Sequence, residues 1–108
     1  MTDKIYTIDE IKQIVFPIAK KYGVEKVYLF GSYARGEATE KSDIDLRVTA
    51  SNIHSLFVLG GLYSDLEEAL NKSLDLVTTE SLINVANKRF SEKFYENIKT
   101  EEKLLYEN

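Results

Sequence analysis

The first part of the chain has apolar residues at helical spacing behind a polar start. Thr7 and Glu10 stand three residues apart in the capping-box pattern, which is typical of a helix N-terminus. The spacing predicts a helix from about Ile8 to Tyr22, ended by Gly23. Pro17 lacks a backbone donor, so we expect it to kink or restart this helix.

The pattern then changes to strand spacing. Val24–Phe30 is rich in β-branched and aromatic residues and stops at Gly31, which predicts a first strand. We expect a short helical turn over Ser32–Arg35 and a polar loop over Gly36–Lys41. A second strand is predicted over Asp43–Thr49, where apolar and polar residues alternate.

A second apolar stripe predicts a helix that ends at about Asn71, with Ser51 or Asn52 as its N-cap. The Gly60–Gly61 pair weakens an unbroken helix, because each glycine costs about 1 kcal/mol relative to alanine. Leu74–Thr78, with the sequence LDLVT, predicts a third short strand.

The last part of the chain predicts a helical region from about Glu80, in two pieces, with Asn87 as a candidate cap for the second. Its apolar positions lie four residues apart, at Phe90, Phe94 and Ile98. Lys103–Tyr106 is predicted either as an edge strand or as a packed tail. Helices and strands thus alternate, which indicates an α/β (α+β) fold with a small sheet.

Composition limits the classes of protein to which this chain can belong. A chain of 108 residues with 44% hydrophobic and 30% charged residues suits one globular domain, covering 1–108. There is no cysteine, no signal-peptide pattern and no apolar run long enough to span a membrane, so we expect a cytoplasmic protein. The net charge of −4 disfavours broad nucleic-acid binding but leaves room for a local phosphate site.

Two carboxylates on the second predicted strand are candidates for metal binding. Asp43 and Asp45 lie two residues apart, so they leave one face about 6–7 Å apart, while Ile44 and Leu46 point into the core. Two charges at that distance repel by about 3 kcal/mol at an effective dielectric near 20. Such a pair either is fully exposed, with no function, or holds a cation, and oxygen ligands suit Mg²⁺ or Mn²⁺.

Gly31 and Ser32 favour the second interpretation, in which the Asp43–Asp45 pair holds a cation. A glycine at a strand end leaves the backbone open to a phosphate, and the following N–H groups and the Ser32 hydroxyl are donors for phosphate oxygens. Because the pair precedes Asp43 by only ten residues, it places a phosphate site beside the carboxylates.

The stretch GSYARGEATEKSDIDL resembles the signature of the DNA polymerase β-like nucleotidyltransferase superfamily: Gly-Ser, ten residues, Asp-x-Asp. The short chain and the ARG and SDIDL details resemble the minimal nucleotidyltransferases, which are often antitoxin partners of HEPN-domain toxins. The order of helices and strands and the LDLVT segment extend the resemblance over most of the chain. It implies the nucleotidyltransferase fold, a small mixed sheet flanked by helices.

The resemblance also implies roles for individual residues. Asp43 and Asp45 would hold one or two Mg²⁺ ions that bind the triphosphate of ATP. Asp75 matches the third acidic position, and would complete the metal site or take the proton from the attacking hydroxyl. For Asp75 the alternative is a strand-end carboxylate in a turn. Gly31 and Ser32 would bind the outer phosphates.

Arg35 is a candidate for nucleotide binding, with a salt bridge to Glu37 as the alternative. Arg47 shares the strand face of the aspartates. We expect it to be a structural partner of one aspartate rather than a charge that neutralises leaving pyrophosphate.

For two further side chains, a structural role is weighed against a functional one. His54, the only histidine, is predicted to be solvated rather than a ligand. Tyr33 would either stack on a base or pack in the core.

The function implied is Mg²⁺-dependent transfer of AMP from ATP to a protein, with a HEPN toxin as target and partner. One alternative is an antitoxin that neutralises its toxin by occlusion, without catalysis. Another is transfer to a small molecule with the help of a partner chain. A hetero-oligomer and a homodimer both remain open, whereas nucleic-acid polymerisation is disfavoured by the acidic charge.

Overall fold

The computed structural model describes residues 2–53, 55–80 and 101–108. The first helix, α1, spans Ile8–Tyr22 as predicted. The Thr7 hydroxyl accepts from the Glu10 N–H at 3.1 Å, and the Glu10 carboxylate accepts from the Thr7 N–H at 2.9 Å. Gly23 ends the helix with a φ of 69°. Pro17 lies inside α1, which continues past it, so the predicted restart is wrong.

The described strands form one four-stranded mixed sheet in the order β3-β2-β1-β4. They are β1 (Lys26–Phe30), β2 (Ile44–Thr49), β3 (Leu74–Thr78) and β4 (Lys103–Glu107). β1 pairs with β2 and β4 in antiparallel fashion, and β2 pairs with β3 in parallel fashion. The predicted fold class is confirmed, and the final segment is an edge strand rather than a tail.

A short helix, α2 (Gly31–Arg35), follows β1 directly, and a long helix, α3 (Leu56–Leu70), links β2 to β3. The N-cap of α3 is Ser55, whose hydroxyl accepts from the Val58 N–H at 3.4 Å. The predicted caps Ser51 and Asn52 are wrong, because they lie in a turn in which Asn52 donates to the Gly23 carbonyl at 2.9 Å.

The Gly60–Gly61 pair lies within α3 and does not break it. Gly61 faces α1: a Cβ there would come within 3.0 Å of the Tyr22 hydroxyl oxygen. The glycine therefore allows α1 and α3 to approach closely. Asn71, at a φ of 54°, ends α3 where the prediction placed its end.

The core lies between the two long helices and one face of the sheet. From β2 it takes Ile44, Leu46 and Val48, each 0% exposed, so the predicted alternation on this strand is confirmed. The helices contribute a matching stripe to the same cluster: Ile11, Val15, Ala19, Leu62, Leu66 and Leu70. The opposite face of β2 is left for Asp45 and Arg47.

Within the described ranges, none of the helices has both the length and the apolar character needed to cross a membrane. His54 lies outside the described residues. So do the predicted helical region beyond residue 80, its cap Asn87 and its apolar positions Phe90, Phe94 and Ile98.

Candidate active site

The turn between β1 and α2 brings the backbone against the second aspartate. Phe30, the last residue of β1, pairs with Asp45 on β2. Gly31 follows with a φ of 72°, and a Cβ there would lie 3.0 Å from Asp45 Cγ and closer still to Oδ2. Both the backbone angle and the contact require glycine. The Asp45 carboxylate thus fills the place of a Gly31 side chain.

The three aspartates lie at the starts of β2 and β3. The parallel register pairs Asp45 with Asp75, so these carboxylates stand side by side on neighbouring strands. Asp43 is the residue before β2, whereas the prediction made it the first residue of that strand. Asp43 and Asp75 are exposed and Asp45 is partly buried. Of the three acidic residues that the sequence singled out, the structure therefore places Asp45 beside Asp75, with Asp43 just before β2.

The electrostatics of Asp45 reflect these neighbours. Its pKa is raised from an ordinary 3.8 to about 6. Burial is the largest cause, followed by the charges of Asp75 and of Asp43, while the Arg35 guanidinium acts in the opposite direction. The three carboxylates and Arg35 are thus within electrostatic reach of one another. A cation at this point would relieve the repulsion.

The three aspartates have the chemistry that a hard divalent cation requires, although their arrangement is not that of a metal site. As it stands, the described part of the chain has no group of three or more His, Cys, Asp or Glu side chains arranged to hold a metal ion. Asp45 and Asp75 are fixed by the sheet, but Asp43 lies outside the ladder and is exposed, so its side chain is not constrained by strand geometry. All three side chains are carboxylates, the type of group that suits Mg²⁺ or Mn²⁺.

Ser32 is the partly buried second residue of α2 and lies next to Gly31. Arg35, at the end of α2, is exposed and donates to Glu37 at 2.6 Å and to Glu101 at 3.1 Å. The salt bridge to Glu37 that we gave as the alternative is therefore present. Glu101 could not be foreseen, because it is 66 residues from Arg35 along the chain. Phosphate binding by Ser32 and Arg35 stays a prediction.

Arg47 is structural, but its predicted aspartate partner is wrong. The residue is 5% exposed and makes a bidentate contact with Glu102, from Nε at 2.9 Å and from Nη2 at 2.7 Å. Nη1 donates to the Thr79 hydroxyl at 2.6 Å, and the guanidinium lies 4.1 Å from the centre of the Tyr28 ring. Arg47 therefore joins β2 to the segment just before β4.

Tyr33 packs in the core, at 3% exposure, so the packing alternative is the one observed. Sequence reasoning missed two residues that border the site. The Tyr63 hydroxyl has two acceptors for its one proton, Glu67 and the Leu74 carbonyl, each at 3.1 Å. The hydrogen bond to Glu67 and burial raise its pKa most, and the charges of Asp75 and Asp43 add to that rise. Lys72 is buried beside the loop that precedes Asp43. In the sequence, the signal at Tyr63 is its place in the apolar stripe of a predicted helix, which indicates packing, and Lys72 has no signal.

A comparison with known families agrees with this geometry. The sequence profile described as polymerase beta, nucleotidyltransferase, matches residues 12–108. The chain belongs to this nucleotidyltransferase family. A Methanocaldococcus jannaschii protein assigned to the protein adenylyltransferases is 45% identical over 75 residues, which is 69% of this nucleotidyltransferase and 81% of the relative. Protein adenylyltransferase MntA of Thermococcus cleftensis is 39% identical over 80 residues, covering 70% and 81%.

Solved structures share the fold of this nucleotidyltransferase. A protein described as a minimal nucleotidyltransferase superposes with a TM-score of 0.66 at 28% identity, covering 90% of this chain and 91% of the other. A chain from the complex of a tri-AMPylated Shewanella oneidensis HEPN toxin with its MNT antitoxin gives a TM-score of 0.63 at 21% identity. That match covers 94% and 73% of the two chains. The second likeness carries the fold alone.

Proposed function

We propose that this nucleotidyltransferase transfers AMP from ATP to a hydroxyl group of a protein, using Mg²⁺ held by Asp43, Asp45 and Asp75. The observation that carries the proposal is the pairing of Asp45 with Asp75 across β2 and β3, with Asp45 against Gly31. This arrangement puts the carboxylates beside a backbone that is open to phosphates. The 108 residues would act as one minimal nucleotidyltransferase domain.

Each residue has a defined task in this proposal. Gly31 leaves room for the outer phosphates, and the Ser32 hydroxyl and neighbouring N–H groups donate to them. Arg35 exchanges a glutamate partner for phosphate oxygens. Asp75 accepts the proton of the attacking hydroxyl. When bound, the metal would neutralise charge on the phosphates and orient them.

The attacking hydroxyl forms a new bond to the α-phosphorus of ATP, and the bond from that phosphorus to the bridging oxygen breaks. Pyrophosphate leaves with that oxygen. Of these three aspartates Asp45 is the most buried, which suits it to bind the metal, whereas the exposed Asp75 is open to the attacking hydroxyl.

We assign a HEPN-domain toxin as the acceptor and partner, and the protein would act as its antitoxin in the cytoplasm. Two observations support this assignment: relatives at 39–45% identity are described as protein adenylyltransferases, and the fold is shared with a chain from a complex of a HEPN toxin and its MNT antitoxin. The net charge of −4 suits a protein acceptor better than a nucleic acid.

The test is incubation with labelled ATP, Mg²⁺ and the HEPN protein encoded beside this chain. Wild type should label the HEPN protein, and the Asp43→Ala/Asp45→Ala variant should not. Asp9→Ala is the matched control, because Asp9 is an exposed carboxylate in the first turn of α1. Labelling that persists in the double variant, or absence of label while the two proteins form a complex, would refute the proposal.

Neutralisation by binding alone is the competing function. Leu56 and Phe57, at the start of α3, are 85% and 91% exposed, and exposed apolar side chains of this size favour a protein contact. Survival of toxin-expressing cells separates the two functions. Rescue by the Asp43→Ala/Asp45→Ala variant would favour binding, whereas loss of rescue with an intact complex would favour catalysis.

A further inference from the structure

Lys72 is a buried lysine in the turn between α3 and β3. It is 3% exposed, and its ammonium donates to the carbonyl oxygen of Glu40 at 2.9 Å and to that of Thr2 at 3.3 Å. It makes no ion pair with any residue that the structure describes. Burying an ammonium against carbonyl oxygens alone is costly. An apolar side chain would fill the space at lower cost, so packing does not explain the charge.

The two bonds of Lys72 join the segments that lead into both strands of the acidic site. Glu40 lies three residues before Asp43, and Lys72 itself lies three residues before Asp75. One ammonium therefore links the loop before β2 to the turn before β3. Because Asp43 is outside the strand ladder, the link acts on the loop that leads to Asp43 rather than on a paired strand.

Backbone bonds connect the same segments. The Ile44 N–H donates to the Ser73 carbonyl at 3.0 Å, and the Thr2 N–H donates to the Asn71 carbonyl at 3.1 Å. The N-terminal segment, the loop and the turn thus meet around Lys72. Its side chain is the part of this assembly that reaches the loop at Glu40.

Packing alone does not hold the loop in place. A cavity of about 250 Å³ adjoins it, lined by residues 2–3, 40–43 and 72–73. Asp43 itself lines this cavity and is exposed, so its side chain is not held by close packing. The Ile44–Ser73 bond holds the chain just after Asp43, and the bond from Lys72 to the Glu40 carbonyl holds the loop just before it.

We propose that Lys72 is a positioning residue that holds the loop before Asp43, keeps Asp43 close to Asp45 and Asp75, and thereby sets the affinity of the acidic site for a divalent cation. The inference rests on the proposed function, because that function assigns the cation to these carboxylates. Lys72 acts through the Glu40 carbonyl and does not touch ATP or the acceptor. Residues that orient metal ligands in this way commonly change metal affinity by about 10–100-fold when replaced.

The experiment measures Mn²⁺ binding to the whole chain without nucleotide, from the electron paramagnetic resonance signal of free Mn²⁺. Lys72→Met removes the ammonium and keeps most of the stem, and we expect the dissociation constant to rise about tenfold. Lys72→Arg should stay within about threefold of wild type, because a guanidinium also donates to carbonyls. Lys41→Met is the matched control. It removes the same charge from the same cavity at an exposed position, and should leave the dissociation constant unchanged.

Transfer activity supplies a second readout. In Lys72→Met the Mg²⁺ concentration for half-maximal activity should rise about tenfold, while the rate at saturating Mg²⁺ stays near wild type. A residue needed for the fold alone would lower the amount of active protein at every Mg²⁺ concentration. Lys72→Gln, a smaller change, serves if Lys72→Met does not fold by circular dichroism.

Wild-type Mn²⁺ affinity in whichever of these two variants folds overturns the inference, and so does failure of both to fold. Equal losses in Lys72→Met and Lys41→Met also overturn it, since they would point to charge rather than position. If wild type itself shows no Mn²⁺ binding that Asp43→Ala/Asp45→Ala removes, the proposed metal site has failed instead. The two failures are thereby distinguished.

Discussion

Removing the charge of Asp45 should stabilise the metal-free protein. The folded protein raises the pKa of this carboxyl from 3.8 to about 6, so it binds the proton more tightly than the unfolded chain does. Folding therefore becomes less favourable as the pH rises from about 4 to 6, and the full penalty is present above pH 6. Asp45→Asn removes the penalty and keeps the shape that fits against Gly31.

The magnitude follows from the size of the pKa change. A rise from 3.8 to about 6 corresponds to about 3 kcal/mol in the free energy of unfolding. Because the side chain is only partly buried, solvent screening reduces this to about 1–2 kcal/mol. For a chain of this size, that is a rise in Tm of about 4–8 °C.

The assay is thermal unfolding in a chelator, at about pH 8 and at about pH 4. Asp45→Asn should gain its full stability at the higher pH and almost none at the lower one, where wild-type Asp45 is already protonated in the folded protein. Asp43→Asn, at an exposed position, should gain less than half as much. An Asp45→Asn variant that is no more stable at pH 8, or that gains equally at both pH values, would contradict the electrostatic account.

Three further predictions concern the surroundings of the site. Gly31→Ala should lower the free energy of unfolding, measured in urea titrations, by more than about 2 kcal/mol and abolish activity, because its Cβ meets Asp45. Gly36→Ala, with a similar φ of 74° but open space around it, should lower it by only about 1 kcal/mol. Equal costs would count against the contact with Asp45. Glu102→Ala should lower the free energy of unfolding by about 3 kcal/mol, because it leaves Arg47 buried without its carboxylate. Arg47→Met/Glu102→Leu should recover much of that loss in the same titration. A double variant as unstable as Glu102→Ala would show that the unpaired charge is not the cause. Glu37→Gln/Glu101→Gln should lower the KM for ATP about twofold to fivefold by freeing Arg35, and an unchanged KM would separate Arg35 from nucleotide binding.

Features set by neighbours in sequence could be predicted. The Thr7–Glu10 cap, the end of α1 at Gly23 and the buried alternation of Ile44 and Leu46 each depend on residues a few positions apart. The Gly-Ser and Asp-x-Asp spacing is of the same kind. Such local rules gave the fold class and two of the three candidate acids, and the resemblance added Asp75.

Features set by contacts across the chain could not be predicted. Arg47 finds Glu102, 55 residues away, and Arg35 finds Glu101, so neither ion pair has a sequence signal. The N-cap of α3 moved to Ser55 because Asn52 is engaged by the Gly23 carbonyl, a contact between two separate turns. The burial of Lys72 has no sequence signal, since it depends on the loop at Glu40 and on Thr2.

The pairing of β1 with β4 has a consequence for synthesis on the ribosome. One of the two edges of β1 pairs with β4, which lies much later along the chain, with Lys26 opposite Glu107. The buried Arg47 likewise lacks its carboxylate until Glu102 has left the exit tunnel. Contacts between such distant segments form late, because loop closure must precede them. A nascent chain that stops short of residue 102 therefore carries all three aspartates on a sheet that lacks β4, with Arg47 lacking its carboxylate partner.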